Sequence, residues 1–125
     1  MKLGEVFLWV TDKALGHENR KKFHIFICEE DGLDGHTFLF ISSDHYRHDF
    51  KIEQADYEDF LTHDSSISLG RIICYSDEEL KRFRIERVGK IKKTHLQKLF
   101  HKVQGSETMT GRDIKRVCNA LKVIL

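Results

Sequence analysis

An α+β fold, a small antiparallel barrel or sheet followed by two C-terminal helices, is predicted by three observations. Short apolar runs alternate with period two through most of the first ninety residues, the pattern of strands whose side chains point to opposite faces in turn. From Thr94 the period becomes that of a helix. The strands precede the two helices without alternating with them, which argues against a doubly wound parallel sheet.

Gly4 to Thr11, GEVFLWVT, reads as an interior strand, with Val6, Leu8 and Val10 on one side and Phe7 and Trp9 on the other. Asp12 to Lys22 is charged and aperiodic, so a long exposed loop is expected there. Lys22 to Ser43 is the centre of the chain. Phe23, Ile25 and Ile27 alternate with His24, Phe26 and Cys28, and Leu39 and Ile41 alternate with Phe38 and Phe40. The Asp-Gly steps between the two runs supply turn residues. This is a hairpin buried on both faces, and antiparallel pairing brings Lys21 and Lys22 at its start near Ser42 and Ser43 at its end.

Phe50 and Ile52 alternate with Lys51 and Glu53 as in an amphipathic edge strand. Tyr57, Phe60 and Leu61 have the spacing of a short helical turn, and His63 to Ser66 read as a polar loop. Ile67 to Ser76 reads as one strand with a bulge or close backbone approach at Gly70. Ser76 and Glu79 have capping-box spacing for a brief helix ending near Phe83, and Arg84 to Ile91 adds a last strand with its turn at Gly89. Thr94 and Gln97 repeat the capping-box spacing before a helix whose stripe is Leu96, Leu99, Phe100 and Val103. Gly105 ends it. A second helix starts at Thr110, with Ile114, Val117, Cys118 and Leu121 as its stripe.

At 125 residues the chain has the length of one domain, spanning 1–125, with the sheet over about 1–92 and the helices over about 94–125. No uncharged run approaches a membrane span and no basic-then-apolar leader is evident, so a cytoplasmic protein without membrane association is expected. Proline is absent, and glycine and Asx residues must make the turns. Cys28, Cys74 and Cys118 are odd in number and widely spaced among apolar neighbours, which suits reduced core thiols better than a disulfide framework or a zinc knuckle. Charge is strongly divided. Residues 1–80 hold 8 Lys/Arg against 17 Asp/Glu, and residues 81–125 hold 13 against 3. The basic part either docks on the acidic part or presents a cationic face to phosphate.

Several blocks, taken in order, resemble the MazF/PemK toxin family. Gly4-Glu5-Val6-Phe7 is similar to its opening Gly-Asp-Val strand, and Lys22 to Ile27 stands where the family has Arg-Pro and an apolar strand. Phe40-Ile41-Ser42-Ser43 stands where it has an apolar run ending in Ile-Thr or Thr-Ser. Asp64-Ser65-Ser66-Ile67 through Ile73 is similar to its Asp-Ser-Val block, and Val88-Gly89-Lys90-Ile91 to its late glycine-containing turn. The resemblance spans most of the chain and implies an SH3-like barrel, a fold shared with the gyrase poison CcdB. It also implies a homodimer, an antitoxin partner, and metal-independent cleavage of single-stranded RNA in which the ribose 2′-hydroxyl attacks the adjacent phosphorus. No cofactor is expected.

Such chemistry needs cations where charge grows on the phosphoryl oxygens and groups that move protons. Carried over by position, Lys22 takes the place of the family's arginine and Ser42 that of its threonine or serine, with Ser43 next if the register slips by one. Arg20 and Lys21 are further cations at the same point of the chain, and His45, Arg84 and Arg87 are candidate RNA contacts. Two departures stand out. Lysine lacks the planar fork of arginine, and Phe23 occupies the position of the proline. A non-catalytic module that binds protein or nucleic acid through its basic C-terminal face is therefore a second reading. A poison of a large enzyme, as CcdB is, is a third. Tyr46 is a candidate stacking surface for a base. His45 and His48 lie three apart beside Asp44 and Asp49, but in a turn and without further ligands, so no metal site is expected. One of them can instead move a proton beside Ser42. His24 reads as a hydrogen-bonded core histidine.

Overall fold

The computed structural model describes residues 1–14, 19–29 and 35–125. Strands β1 (Glu5–Thr11), β2 (Arg20–Glu29) and β3 (His36–Ser42) form the centre, each antiparallel to the next. With β4 (Phe50–Ile52), β5 (Ser65–Ile67), β6 (Ile73–Tyr75) and β7 (Glu86–Lys90) they make one sheet of order β4-β5-β3-β2-β1-β7, and β6 lies beside β3. The sheet curls into a half-barrel. Helix α1 (Asp77–Lys81) precedes β7, and α2 (Lys93–Gln104) and α3 (Gly111–Leu121) follow it. Among the described residues, no helix is long and apolar enough to cross a membrane.

The two-sided alternation of β1 to β3 builds two cores. Val6, Ile25, Ile27, Leu39 and Ile41 face the helices, where Leu96, Leu99, Phe100 and Val103 of α2 and Val117 and Leu121 of α3 cover them. On the other face Phe7, Trp9, Phe26, Phe38 and Phe40 pack with Ile73 and Tyr75. Both layers exclude water almost completely. The turn expected between β2 and β3 falls on residues 30–34, outside those described, as do residues 15–18 of the expected loop.

Several local expectations are corrected. The loop over Asp12 to Lys22 is shorter than its charge suggests, because β2 already begins at Arg20. Arg20, Lys21 and Lys22 pair with Thr11, Val10 and Trp9, which satisfies the backbone while the long side chains stay at the surface. The run Ile67 to Ser76 is two strands. Its first part pairs with the end of β3 and its second part with the beginning of β3, and Gly70 lies in the excursion between them. Ser65 and Ser66, read as loop, are buried in β5. The helical turn expected at Tyr57 is present, Phe60 and Leu61 N–H both donating to the Tyr57 carbonyl, and a 3-10 turn at Gln54–Asp56 precedes it. Gly89 is not a turn but a strand position opposite Val6, where a Cβ would stand 2.8 Å from the Phe60 ring.

Ser76 and Glu79 do form the expected capping box around α1. Thr94 and Gln97 do not: the N-cap of α2 is Lys92, two residues earlier. There the Lys92 N–H donates to the Tyr57 hydroxyl at 3.1 Å, and that hydroxyl lies 2.5 Å from His95 Nδ1. A tertiary contact thus overrules the local cap pattern. All three cysteines are free, and burial pushes the Cys118 thiol up.

Gly4 carries the tightest backbone constraint. Its φ is +86°, its N–H donates to the Phe26 carbonyl at 2.9 Å, and its carbonyl accepts from Ile91 N–H at 2.8 Å. A Cβ there would stand 2.9 Å from a methyl of Leu96. Gly4→Ala is expected to lower stability by about 1–3 kcal/mol, combining left-handed backbone strain with crowding of the Leu96 methyl. Urea denaturation of the two proteins checks this, and a loss below about 0.5 kcal/mol, the range of ordinary surface substitutions, would contradict it.

Candidate functional site

Lys22, His24 and Phe26 project from one face of β2, and Phe38, Phe40 and Ser42 from the same face of β3, because cross-strand partners share a face. The pairing of Phe23 with Ile41 puts Lys22 opposite Ser42, one step further out. Where the apolar part of this face ends, the chain opens into a cleft of about 510 Å³. Arg20, Lys22 and Arg71 bring cations to it, Ser42 and Ser68 bring hydroxyls, and Asp44 and Asp49 bring carboxylates. Tyr46 and His48 form part of its wall, their rings nearly parallel with centroids 6.1 Å apart, and the Tyr46 side chain is largely exposed.

Lys22, Ser42, Arg71 and Asp49 are each held by an identifiable contact. The Lys22 ammonium lies 5.3 Å from the centre of the Phe40 ring, a distance at which a cation is attracted to the aromatic face. Burial, and then the nearby Arg20, pull the Lys22 pKa below its ordinary value, while Asp44 opposes them. The Ser42 hydroxyl oxygen accepts from Asp44 N–H at 3.1 Å, which leaves its own proton available to a ligand. The Arg71 guanidinium is tied to the Lys13 carbonyl. Asp49, buried, accepts from Leu69 N–H at 2.9 Å. Besides the imidazole, three cations face two carboxylates.

Beneath the cleft runs a buried polar chain. His24 Nδ1 lies 2.9 Å from the Lys22 carbonyl, which can only accept, so Nδ1 carries the proton and Nε2 accepts from the Tyr75 hydroxyl at 2.9 Å. The Tyr75 oxygen in turn accepts from the Thr11 hydroxyl at 2.7 Å, and Thr11 accepts from Lys13 N–H at 3.1 Å. The His24 ring lies flat on Trp9, centroids 3.5 Å apart. Burial pushes the His24 pKa down to about 3 and that of Tyr75 up to about 12. Every link is neutral and paired, which is how a buried polar group is tolerated beside an apolar core. The core reading of His24 is the one observed.

The residues singled out in the sequence are distributed over several places. Lys22, Ser42 and Arg20 share the main cleft. Ser43 and Lys21 line a smaller one of about 220 Å³ with Lys22, Ser42 and His63. His45 is held away from the main cleft, its Nδ1 2.8 Å from the buried Ser66 hydroxyl, whereas His48 lines it. Arg84 lies in a third cleft with Lys21, Arg82 and Trp9. Arg87 donates to Glu5 at 2.5 Å and lines a fourth cleft with Tyr57 and Phe60. Arg71 and Ser68 were not singled out. They lie on either side of Gly70 and line the cleft with Lys22.

The chain matches no protein-family model and no curated protein. The class that its fold and cleft define is thus an α+β half-barrel carrying a cationic, hydroxyl-lined groove at the open ends of its central hairpin.

Proposed function

We propose that this is a MazF/PemK-like protein with an SH3-like barrel that acts on single-stranded RNA, and that the cleft is its phosphodiester site. The single observation that carries the reading is the meeting of Lys22 and Ser42, two residues selected by position in the chain, in one open cleft with two arginines. Arg20 and Arg71 supply the forked donors that suit phosphate oxygens and that Lys22 lacks. In the reaction the ribose 2′-oxygen forms a bond to phosphorus and gives its proton to a base, for which His48 is the imidazole at hand. The bond from phosphorus to the 5′-oxygen breaks, and that oxygen leaves with a proton from Lys22 or Ser42. Products are a cyclic 2′,3′-phosphate and a 5′-hydroxyl. The Tyr46 ring gives a neighbouring base a stacking surface. A homodimer, an antitoxin that competes for the same cations, and a cytoplasmic location belong to this reading.

The test is cleavage of single-stranded RNA by the purified chain with chelator present. Absence of cleavage removes the enzymatic claim. The second reading, a binding module without catalysis, is favoured by the separate cleft that gathers Lys21, Arg82 and Arg84. Binding that weakens steeply with salt, without cleavage, selects it.

A further inference from the structure

At the far end of the same hairpin, Glu29 and His36 are cross-strand partners, and His36 also pairs with Tyr75 of β6, two residues before Asp77. Strand register therefore gathers three side chains from β2, β3 and the first turn of α1. One ligand atom from each lies within 4.8 Å of the other two. His36 Nε2 is 3.9 Å from Glu29 Oε1 and in close contact with Asp77 Oδ1. The other imidazole nitrogen, Nδ1, is shut off from solvent and has no hydrogen-bond partner among the described residues. Nε2 is thus the nitrogen open to a ligand.

The electrostatics point the same way. Among the described residues, no lysine or arginine forms an ion pair with Glu29 or Asp77, although both carboxylates are largely exposed. Two negative charges therefore face one imidazole without a fixed cation.

We propose that Glu29, His36 and Asp77 bind a divalent transition-metal ion of the zinc type. One imidazole nitrogen and two carboxylate oxygens are a donor set that zinc accepts, with a fourth position left to water. Bonds of about 2.1 Å in a tetrahedral site separate ligand atoms by about 3.4 Å. The Glu29 and Asp77 carboxylates adjust to reach that spacing about the imidazole, movements open to exposed side chains. His36 is the fixed member, its side chain 14% exposed, and the capping box of Ser76 and Glu79 sets the position of the first turn of α1. The bound ion ties the end of the hairpin to α1. It lies about 20 Å from Lys22 and Ser42, seven and six strand positions away, so it plays no part in the reaction proposed above.

The experiment is calorimetric titration of the full chain with Zn²⁺ in chelator-free buffer, repeated on Asp77→Asn, Glu29→Gln and His36→Ala, with near-UV circular dichroism as a check on folding. Co²⁺ absorption provides a spectroscopic readout of the donor set. Expected are one ion per chain, a melting temperature that rises with Zn²⁺, and affinity lowered by more than about tenfold in Asp77→Asn and Glu29→Gln, as at other metal sites with altered ligation. Asp77 and Glu29 are exposed, so these two variants fold even if His36→Ala does not. Absence of saturable binding overturns the proposal. So does binding unchanged in Asp77→Asn and Glu29→Gln, which would mark an adventitious ion on other histidines.

Discussion

Lys22→Ala is expected to lower the rate of RNA cleavage by about 10²–10³-fold with little change in stability, the size of effect seen when a preorganised donor is removed from a developing oxyanion. Ser42→Ala is expected to fall in the same range or below it, since a group that moves a proton contributes about 10²–10⁴-fold. The physical case rests on where the charges sit. Burial and Arg20 both disfavour the charged form of Lys22, so its ammonium is a readier proton donor than an exposed lysine. Arg20 and Arg71 remain in the cleft of the variant and hold substrate, so the loss should appear mainly in kcat and less in KM. Lys22→Arg separates roles further. Activity is expected to fall, because Arg20 and Arg71 already supply forked donors and a guanidinium does not give up its proton; unchanged activity would leave Lys22 only the role of a phosphate-binding cation. Cleavage by Lys22→Ala at the parental rate would remove Lys22 from the mechanism, and parental rates in both alanine variants would move the reaction elsewhere on the molecule.

Acid should destabilise this protein through His24 in particular. In the folded chain its pKa is about 3, whereas an unfolded histidine titrates near 6.5. The folded pKa is the lower, so the unfolded state binds the extra proton first as pH falls. Stability is therefore undiminished by this group above about pH 6.5 and declines between there and about pH 3, by up to about 1.4 kcal/mol for each pH unit. Over the whole interval the loss approaches about 5 kcal/mol, a large part of a typical domain's stability. His24→Gln keeps a polar side chain next to Tyr75 without a group that titrates in this range. Urea denaturation at a series of pH values should give a slope smaller by about one proton in the variant between pH 6 and 4. Equal slopes would mean that His24 is reached by solvent in the folded state, contrary to its position between Trp9 and Phe40.

The two-faced hairpin was legible because alternation is a local property. Phe23, Ile25 and Ile27 against His24 and Phe26 need only a strand to be sorted into two layers, and both layers are found packed. The same holds for the apolar stripes of α2 and α3. Where reading failed, a distant residue had intervened. Tyr57 reset the start of α2, and pairing with β1 turned a charged stretch into the beginning of β2. In the candidate site, Lys22 and Ser42 were found because they lie at the ends of one hairpin. Arg71 was not, since nothing near it in the chain refers to Lys22.

The order of apolar and polar residues alone determined that this chain makes a sheet with two buried faces and closes one of them with helices, since the period of a side-chain pattern acts over a few residues. Only the tertiary structure decided which cations share a cleft with Ser42, and that Glu29, His36 and Asp77 meet. Both depend on strand register, which is set by contacts between segments far apart in the chain and leaves no local trace in it.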